Sequence, residues 1–485
     1  MNKQSIDDFL IVEKKYHLNE LEINGVNYWN YVRFSIWNSE IVSQNMRLGE
    51  AHQKRKLSVW QCIKIFSGFL ESIFSLKNIK KDSDILFLNH ERRAKNNNFY
   101  ECIYTETLSK IYKSTTLEKP YEYKHFKPVK TSHLVYTDYI SIDAYLKFTV
   151  HKLLKTKKYR NLLLEIEEQT HEALNELSHI YSWNYNKKDI YNKMAEKVFF
   201  YQDEYKKFQK MIDKINPKVI VEVVYYAWQN MIINEIAREK GIVTVELQHG
   251  TIYKEHIAYQ FAKDVSIAQL ADRIFMFSDF WKNMVRLPIT SDHLISVGYP
   301  YFENCKDNFQ KIRKTDNRTG VVFISQGTIG KDLSKVAAQV ADILESDQYR
   351  VIYKLHPSEY SSWKTLYPWL DQTNLEVIDN NEKSLYYYFA ICDIQIGVYS
   401  TAVFEGIGFG LNTIIYKCAF WDVMKPLIDY GYAELGIDVY DICSKIKSPV
   451  NETQTNEIAN KLWKPNALEN IRNELDSLLT RSNYD

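Results

Sequence analysis

The chain has 485 residues, with 62 Lys and Arg against 61 Asp and Glu. That length exceeds what one hydrophobic core serves and predicts two or three domains, and the charge balance excludes a global pull toward nucleic acid. The six cysteines are scattered without paired spacing, which predicts buried reduced thiols rather than a disulfide frame or a zinc site. The N-terminus lacks the basic and apolar regions of a signal peptide, and no apolar run is long enough to cross a bilayer, so a cytoplasmic protein is expected.

In chain order, residues 1–80 read as a partly helical N-terminal appendage. Between Val59 and Leu76 the apolar residues Trp60, Ile63, Ile65, Phe66, Phe69, Leu70, Ile73, Phe74 and Leu76 recur at roughly helical spacing, with Lys54-Arg55-Lys56 before them and Lys77, Lys80 and Lys81 after. The favoured reading is a helix packed on the domain behind it, with solvated basic ends. The alternative is an interfacial helix touching anionic lipid, which places the protein at the inner face of the cell membrane.

Residues 81–305 read as an α/β domain. Asp84–Leu88 is its first predicted strand, ending at Asn89-His90-Glu91-Arg92-Arg93, and Leu134–Tyr136 is the second. Residues 145–215, dense in Lys, Glu, Leu and Tyr, are predicted to be a helical insertion. The run 218–226 is a β-branched strand and Trp228–Lys240 a helix, with Gly241 placed to stop it. The strand 242–247 then ends in Gln248-His249-Gly250-Thr251, completing a βαβ unit. Two more strands are expected at 273–277 and 294–298. The polar stretch 306–318 is the predicted linker.

A second βα series fills 319–425. It has a strand at Val321–Ile324 with the loop Ser325-Gln326-Gly327-Thr328-Ile329-Gly330, a strand ending at His356-Pro357, a strand at 375–378, a strand opening the Ser400-Thr401 helix, and a strand at 413–416. Residues 426–485 read as C-terminal helices. Strands alternating with helices predict parallel sheets. The sum is two Rossmann-like domains in tandem, with a cleft between them as the expected meeting place of donor and acceptor.

Loops at the C-terminal edge of a parallel sheet hold ligands, and a helix N-terminus there offers free N–H groups to an anion. On that ground His356, Ser400 and Thr401 are expected around one phosphate, with Lys354 adding positive charge. Ser325, Gly327 and Thr328 let the backbone approach it, and Glu405 is placed to accept from a ribose hydroxyl. Each has a plainer reading: a capped turn, an N-cap pair, a solvated lysine, a helix-start acid. His249, at a strand end, has the residue type of a general base. A structural histidine bonded to a neighbouring loop is the alternative, and His256 reads as a loop residue. There is no Walker loop, no G-x-G-x-x-G, no G-x-S-x-G and no H-E-x-x-H.

With these residues laid out, the chain resembles the bacterial GT-B transferases of surface-polysaccharide synthesis. These are the CDP-glycerol glycerophosphotransferases, the bacterial sialyl- and polysialyltransferases, and capsule glycosyltransferases. Gln248-His249-Gly250-Thr251 is similar to a Trp-His-Gly-Thr segment of the glycerophosphotransferases, and Gly298-Tyr299-Pro300 to their Gly-Tyr-Pro. His356-Pro357 and Tyr399-Ser400-Thr401 match a His-Pro segment and a Ser/Thr pair in both of the first two groups. The resemblance covers roughly residues 217–425. Gln248 departs from the tryptophan, Ile252-Tyr253 departs from a proline-leucine, and the acidic base segment of the sialyltransferases is absent, which leaves the donor open.

The resemblance implies a GT-B fold and an inverting transferase needing neither metal nor cofactor. His249 would activate the acceptor hydroxyl; His356, Ser400 and Thr401 would bind the donor phosphate. The expected partners are a CMP-, CDP- or UDP-linked sugar or polyol donor and a glycan or lipid-linked glycan acceptor, in capsule or other surface-polysaccharide synthesis. The alternatives are a CDP-polyol phosphotransferase of teichoic-acid type, a catalytically silent scaffold, and a sugar-nucleotide epimerase on the same fold.

Overall fold

A computed structural model describes residues 5–42, 58–121, 125–309, 311–312, 316–372, 374–449 and 452–481. The chain forms two compact units. Unit 1 comprises Met1–Met276, Met284–Ile295 and Ile471–Asp485; unit 2 comprises Phe277–Asn283 and Ser296–Asn470. Among the described residues, no helix is long and apolar enough to cross a membrane.

Unit 1 is built on a seven-stranded sheet. Its strands are β1 (Ile85–Leu88), β4 (Ser114–Glu118), β5 (Leu134–Tyr136), β6 (Val219–Val223), β7 (Val243–Leu247), β8 (Arg273–Met276) and β9 (Leu294–Ser296), in the order β5-β4-β1-β6-β7-β8-β9. The pairs with known register are parallel. Apolar runs such as Ile85–Leu88 and Val219–Val223 are buried throughout, as a sheet covered on both faces requires. The chain runs outward through β1, β4 and β5, then returns beside β1 as β6 and runs the other way. The order therefore reverses between β1 and β6, which is where doubly wound sheets bind ligands.

Three elements of this unit escape the hydrophobic pattern. β4 reads Ser-Thr-Thr-Leu-Glu yet is wholly buried; Thr115 Oγ1 lies 3.0 Å from Ser83 Oγ and accepts from the Lys80 N–H at 3.1 Å, so its polar side chain is satisfied inside. β2 (Arg93–Asn96) and β3 (Phe99–Cys102) form a hairpin closed by Asn97 and Asn98, both at positive φ, the two-residue turn that asparagine tolerates.

The first helices, α1 (Ile6–Lys15) and α2 (Tyr28–Ser35), are not an appendage. Phe9, Trp29, Tyr28 and Trp37 belong to one hydrophobic cluster with the long helices of this unit. The buried Arg33 guanidinium pairs with Glu13 at 2.7 Å and donates to the Ile257 and Gln260 carbonyls at 2.8 and 2.9 Å, tying α2 to the loop after β7. The expected helical insertion is three helices, α4 (Asp138–Leu153), α5 (Lys157–Tyr181) and α6 (Lys187–Ile215), preceded in the chain by α3 (Val59–Ser75) and followed by α7 (Trp228–Glu239). Helix α3 does pack on the unit, against α4 and β5, but through its small polar side: its buried residues, among the described side chains, are Gly68, Ser72 and Ser75, while Trp60 and Phe66 are 74% and 62% exposed.

Unit 2 carries a parallel sheet of six strands: β10 (Thr319–Ile324), β11 (Tyr349–Lys354), β12 (Glu376–Ile378), β13 (Ile394–Gly397), β14 (Asn412–Tyr416) and β15 (Glu434–Gly436). Their order is β12-β11-β10-β13-β14-β15, so this sheet reverses between β10 and β13. β15 lies beyond the expected boundary at 425 and pairs with β14, so the sheet continues into the region expected to hold only helices. The stretch expected as a linker from 306 holds the end of helix α8 (Pro300–Phe309); residues 310 and 313–315 lie outside the described residues.

Candidate active sites at the two switch points

In unit 1, β6 stops at Val223, three residues short of the expected strand end. Val224 has φ 66°, a left-handed conformation that a β-branched residue adopts only under strain. The Asn230 amide holds this corner by donating to the Val223 and Val224 carbonyls at 3.0 and 3.1 Å. The turn carries Tyr226 to His249, with the phenol oxygen 3.2 Å from Nε2. The His249 carbonyl accepts from Tyr104 and, at 3.3 Å, from Arg92. His90, just after β1, stacks on the His249 ring at 5.8 Å between centroids. His256 joins through Tyr226 and Phe34, at 5.5 and 5.8 Å. The switch point thus gathers three histidines in an aromatic setting.

Desolvation keeps these rings neutral. It drives His249 well below the ordinary imidazole range, helped by His90, His256 and Arg92. Burial takes His90 down to about 3 and His256 down to about 4. His249 Nδ1 is buried with no protein partner among the described residues. Beneath it, Glu246 on β7 accepts from Tyr259 at 2.7 Å and from the Tyr225 N–H at 3.1 Å; burial raises its pKa to about 7. Position alone pointed to His249; His90, Arg92, Tyr104, Tyr226 and the placement of His256 were not foreseen. Only the run Asn89-His90-Glu91-Arg92 at a predicted strand end signalled any of them.

In unit 2 the loops after β10, β11 and β13 emerge side by side, since those strands are neighbours. His356 caps a short turn: its Nδ1 accepts from the Ser358 N–H at 3.3 Å and lies 2.8 Å from Ser358 Oγ. That leaves Nε2 to carry the proton on an exposed ring. Thr328 Oγ1 bonds the Tyr399 hydroxyl, and Gln326 accepts from the Tyr399 N–H at 3.4 Å. Gly327 lies against Ser358. Ser400 caps helix α11 (Thr401–Gly408) by accepting from the Ala402 N–H at 3.2 Å, and Thr401 is the first residue of that helix. His356, Gly327, Thr328, Ser400 and Thr401 therefore lie on the three loops that flank the reversal.

Two expected residues are engaged elsewhere. Ser325 is buried; its proton goes to Glu359 at 3.1 Å and its oxygen accepts from Tyr353 at 3.0 Å. Lys354 is buried too, bonded to the Tyr360 hydroxyl and, at 2.8 Å, to the Asn380 carbonyl. Lys354 pairs with Ile378 at the end of β12, which brings the loop after β12, and with it the Asn380 carbonyl, within reach of its Nζ. Glu405 sits one turn into α11, where its carboxylate, after burial, is the next cause holding the Tyr386 hydroxyl protonated.

Glu359, not singled out from the sequence, organises this site. Its carboxylate accepts from the His356 N–H at 2.8 Å, from Ser325, and from Tyr367 at 2.8 Å, joining the loops after β10 and β11. A Cβ at Gly330 would fall 2.2 Å from Glu359 Oε1, so glycine is required where helix α9 (Gly330–Ile343) begins. The capping-box pattern His-Pro-Ser-Glu was the available signal. Among the described residues, no three His, Cys, Asp or Glu side chains are placed to share a metal ion.

The molecule is thus a protein of two doubly wound α/β units, each with polar side chains at its own strand reversal. No protein-family model and no curated protein matches the sequence. Solved structures are similar at low identity. The UDP-GlcNAc 2-epimerase of Neisseria meningitidis bound to UDP-GlcNAc matches at 12% identity and TM-score 0.43, over 58% of this chain and 82% of the epimerase. MurG of Acinetobacter baumannii matches at 12% and 0.40, over 58% and 79%. The wall teichoic acid polymerase TagF matches at 9% and 0.41, over 88% of this chain and 99% of the polymerase.

Proposed function

We propose that the protein is a GT-B transferase that moves a sugar from a nucleotide-activated donor to a glycan acceptor in bacterial surface-polysaccharide synthesis. The observation that carries this reading is His249: a neutral imidazole at a switch point, with a buried Nδ1 that no protein group uses. If Nε2–H donates to the Tyr226 oxygen, Nδ1 presents its lone pair to an acceptor hydroxyl. The proton then moves from that hydroxyl to Nδ1 as the oxygen attacks the anomeric carbon, and the nucleotide leaves with the bonding pair. Tyr226 orients the ring, and the stacked His90 keeps water from one face.

In unit 2, His356 Nε2–H, the Ser400 hydroxyl and the N–H groups opening α11 are suited to the donor's phosphates. Donors aimed at a departing phosphate supply the electrostatic stabilisation this reaction needs. Thr401, Thr328 and Gly327 line the same reversal. Lys354 and Ser325 support the loops and do not touch the donor. The alternative of polyol-phosphate transfer uses the same groups and differs in product: only it leaves a phosphodiester.

The test is a thermal-shift panel of CMP, CDP, UDP, GDP and their sugar or polyol conjugates, on wild type and His356→Ala. A ligand of the native state raises the melting temperature in proportion to its affinity. Stabilisation by one nucleotide family, reduced in the variant, is the expected result. No shift with any nucleotide overturns the reading.

A further inference from the structure

Helix α3 is amphipathic in the wrong sense for a core helix. Its fully buried residues are small and polar, with Ile65 and Phe69 half-buried beside them: Ser72 Oγ accepts from the Tyr139 N–H at 3.0 Å, Ser75 Oγ accepts from the Tyr136 N–H at 2.9 Å, and a Cβ at Gly68 would meet Asp138 at 2.7 Å. The opposite side carries Trp60, Ile63, Phe66, Leu70, Ile73 and Phe74, all exposed and spaced at three and four residues. A helix of a water-facing surface buries its apolar stripe; this one is bonded in place so as to present it.

The patch continues on α4, against which α3 packs. The bonds Ser75–Tyr136 and Ser72–Tyr139 step in opposite senses along the two segments, so α3 runs antiparallel to the chain entering α4. The side of α4 that begins at Asp138, against Gly68, continues through Tyr145, Leu146, Val150 and Leu153, with Leu154 after it; these are 53–75% exposed. An exposed apolar surface of this extent marks an interaction site.

Charge identifies the partner. Lys64 is exposed on α3 and Lys77 in the turn just after it, and Lys152, Lys155, Lys157 and Arg160 are exposed at the end of α4 and the start of α5. The acids of the two helices are already held: Glu71 by Lys127 at 2.8 Å, Asp138 by His125 at 3.0 Å, and Asp143 by Lys207. A second copy meeting this face across a two-fold axis would oppose the same cations with no acid to pair them. A bilayer bearing anionic headgroups satisfies both the apolar stripe and its basic rim.

We propose that α3 and the C-terminal half of α4 form a docking face that lies in the headgroup boundary of an anionic bilayer. This goes beyond the transferase reading and does not depend on it, since the test uses neither nucleotide nor acceptor.

The full chain is sedimented with phosphatidylcholine vesicles, with and without phosphatidylglycerol. The expected result is binding to the phosphatidylglycerol vesicles that weakens with salt. Phe66→Ser with Phe74→Ser should weaken it about tenfold or more, given what burying an aromatic side chain contributes; Lys64→Glu with Lys77→Glu should weaken it as well. Cys62, the exposed thiol among the six, sits on α3, and a polarity-sensitive fluorophore there should shift to the blue on binding. If the phenylalanine variant loses its native melting transition, Leu153→Ser with Leu154→Ser tests the same face. A chain that ignores both vesicle types, or variants that bind as wild type, overturns the proposal. Self-association abolished by the same substitutions, without vesicle binding, also overturns it and assigns the face to a second copy.

Discussion

The two switch points solve different problems with the same topology. In unit 1 the loops after β1, β6 and β7 bring rings together: His90, His249 and His256 among Tyr104, Tyr226 and Phe34, all discharged by burial. In unit 2 the loops after β10, β11 and β13 bring N–H and O–H donors together around an exposed His356. A desolvated imidazole is a poor place for a permanent charge and a good one for a transient proton. A solvated edge of donors suits an anion that arrives already charged. The fold sets where the site is, and desolvation decides which chemistry it supports.

The sharpest way to break this contrast is His249→Ala. Turnover should fall about 10²–10⁴-fold while nucleotide-induced stabilisation is unchanged; a variant that turns over normally removes the base from unit 1. The pH profile sharpens the same point. A base works deprotonated, and burial holds His249 well below the ordinary imidazole value. The acidic limb of kcat should therefore lie below the usual imidazole range, and a limb at or above about pH 6.5 would contradict a desolvated base.

Next in size is Glu359→Ala. It leaves the Ser325, Tyr367 and His356 donors buried without their acceptor and should cost about 2–3 kcal/mol of stability, read as a lowered melting temperature. Substituting His356→Ala should instead weaken nucleotide binding about tenfold with kcat far less changed than in His249→Ala; equal losses in both would blur the division. Tyr226→Phe removes one hydrogen bond to a ring that stays in place, so about a fivefold loss of turnover is expected, with nucleotide affinity untouched. The smallest effect belongs to Val224→Gly. Relief of the left-handed strain outweighs the entropy of glycine, and the protein should gain about 1 kcal/mol while turnover drops as Tyr226 loses its fixed aim.

Strands whose residues are β-branched or aliphatic were legible in the sequence: β1, β5, β6, β7, β8 and β14 lie within a residue or two of expectation except at the end of β6. That exception is instructive. Val224-Tyr225-Tyr226 continues the β-propensity of the strand, and only tertiary contacts, the Asn230 bonds and the Glu246–Tyr225 bond, break it into a turn. β4 was hidden because its run is polar, with Thr115 satisfied by Lys80 and Ser83, partners far away in the chain. His249, His356, Ser400 and Thr401 were placed at strand ends from a local signal, and the structure puts them there. The partners that hold Lys354 and Ser325, namely Tyr360, Asn380, Glu359 and Tyr353, are tertiary and left no local signal. α3 showed its helical period plainly, but a period alone does not say which face the protein covers.

Glu359 has a consequence for recognition. By accepting from one residue on the β10 loop and from two points around the β11 turn, it makes the two loops a single stiff jaw before any ligand arrives. On the proposed reading, a nucleotide then meets the loop of Tyr399 and Ser400 as the other wall, which reaches that jaw through Thr328 and Gln326. The conformational entropy lost on binding is confined to one side. Discrimination among the proposed donors should accordingly rest on residues of the Tyr399 loop, which Glu359 does not brace.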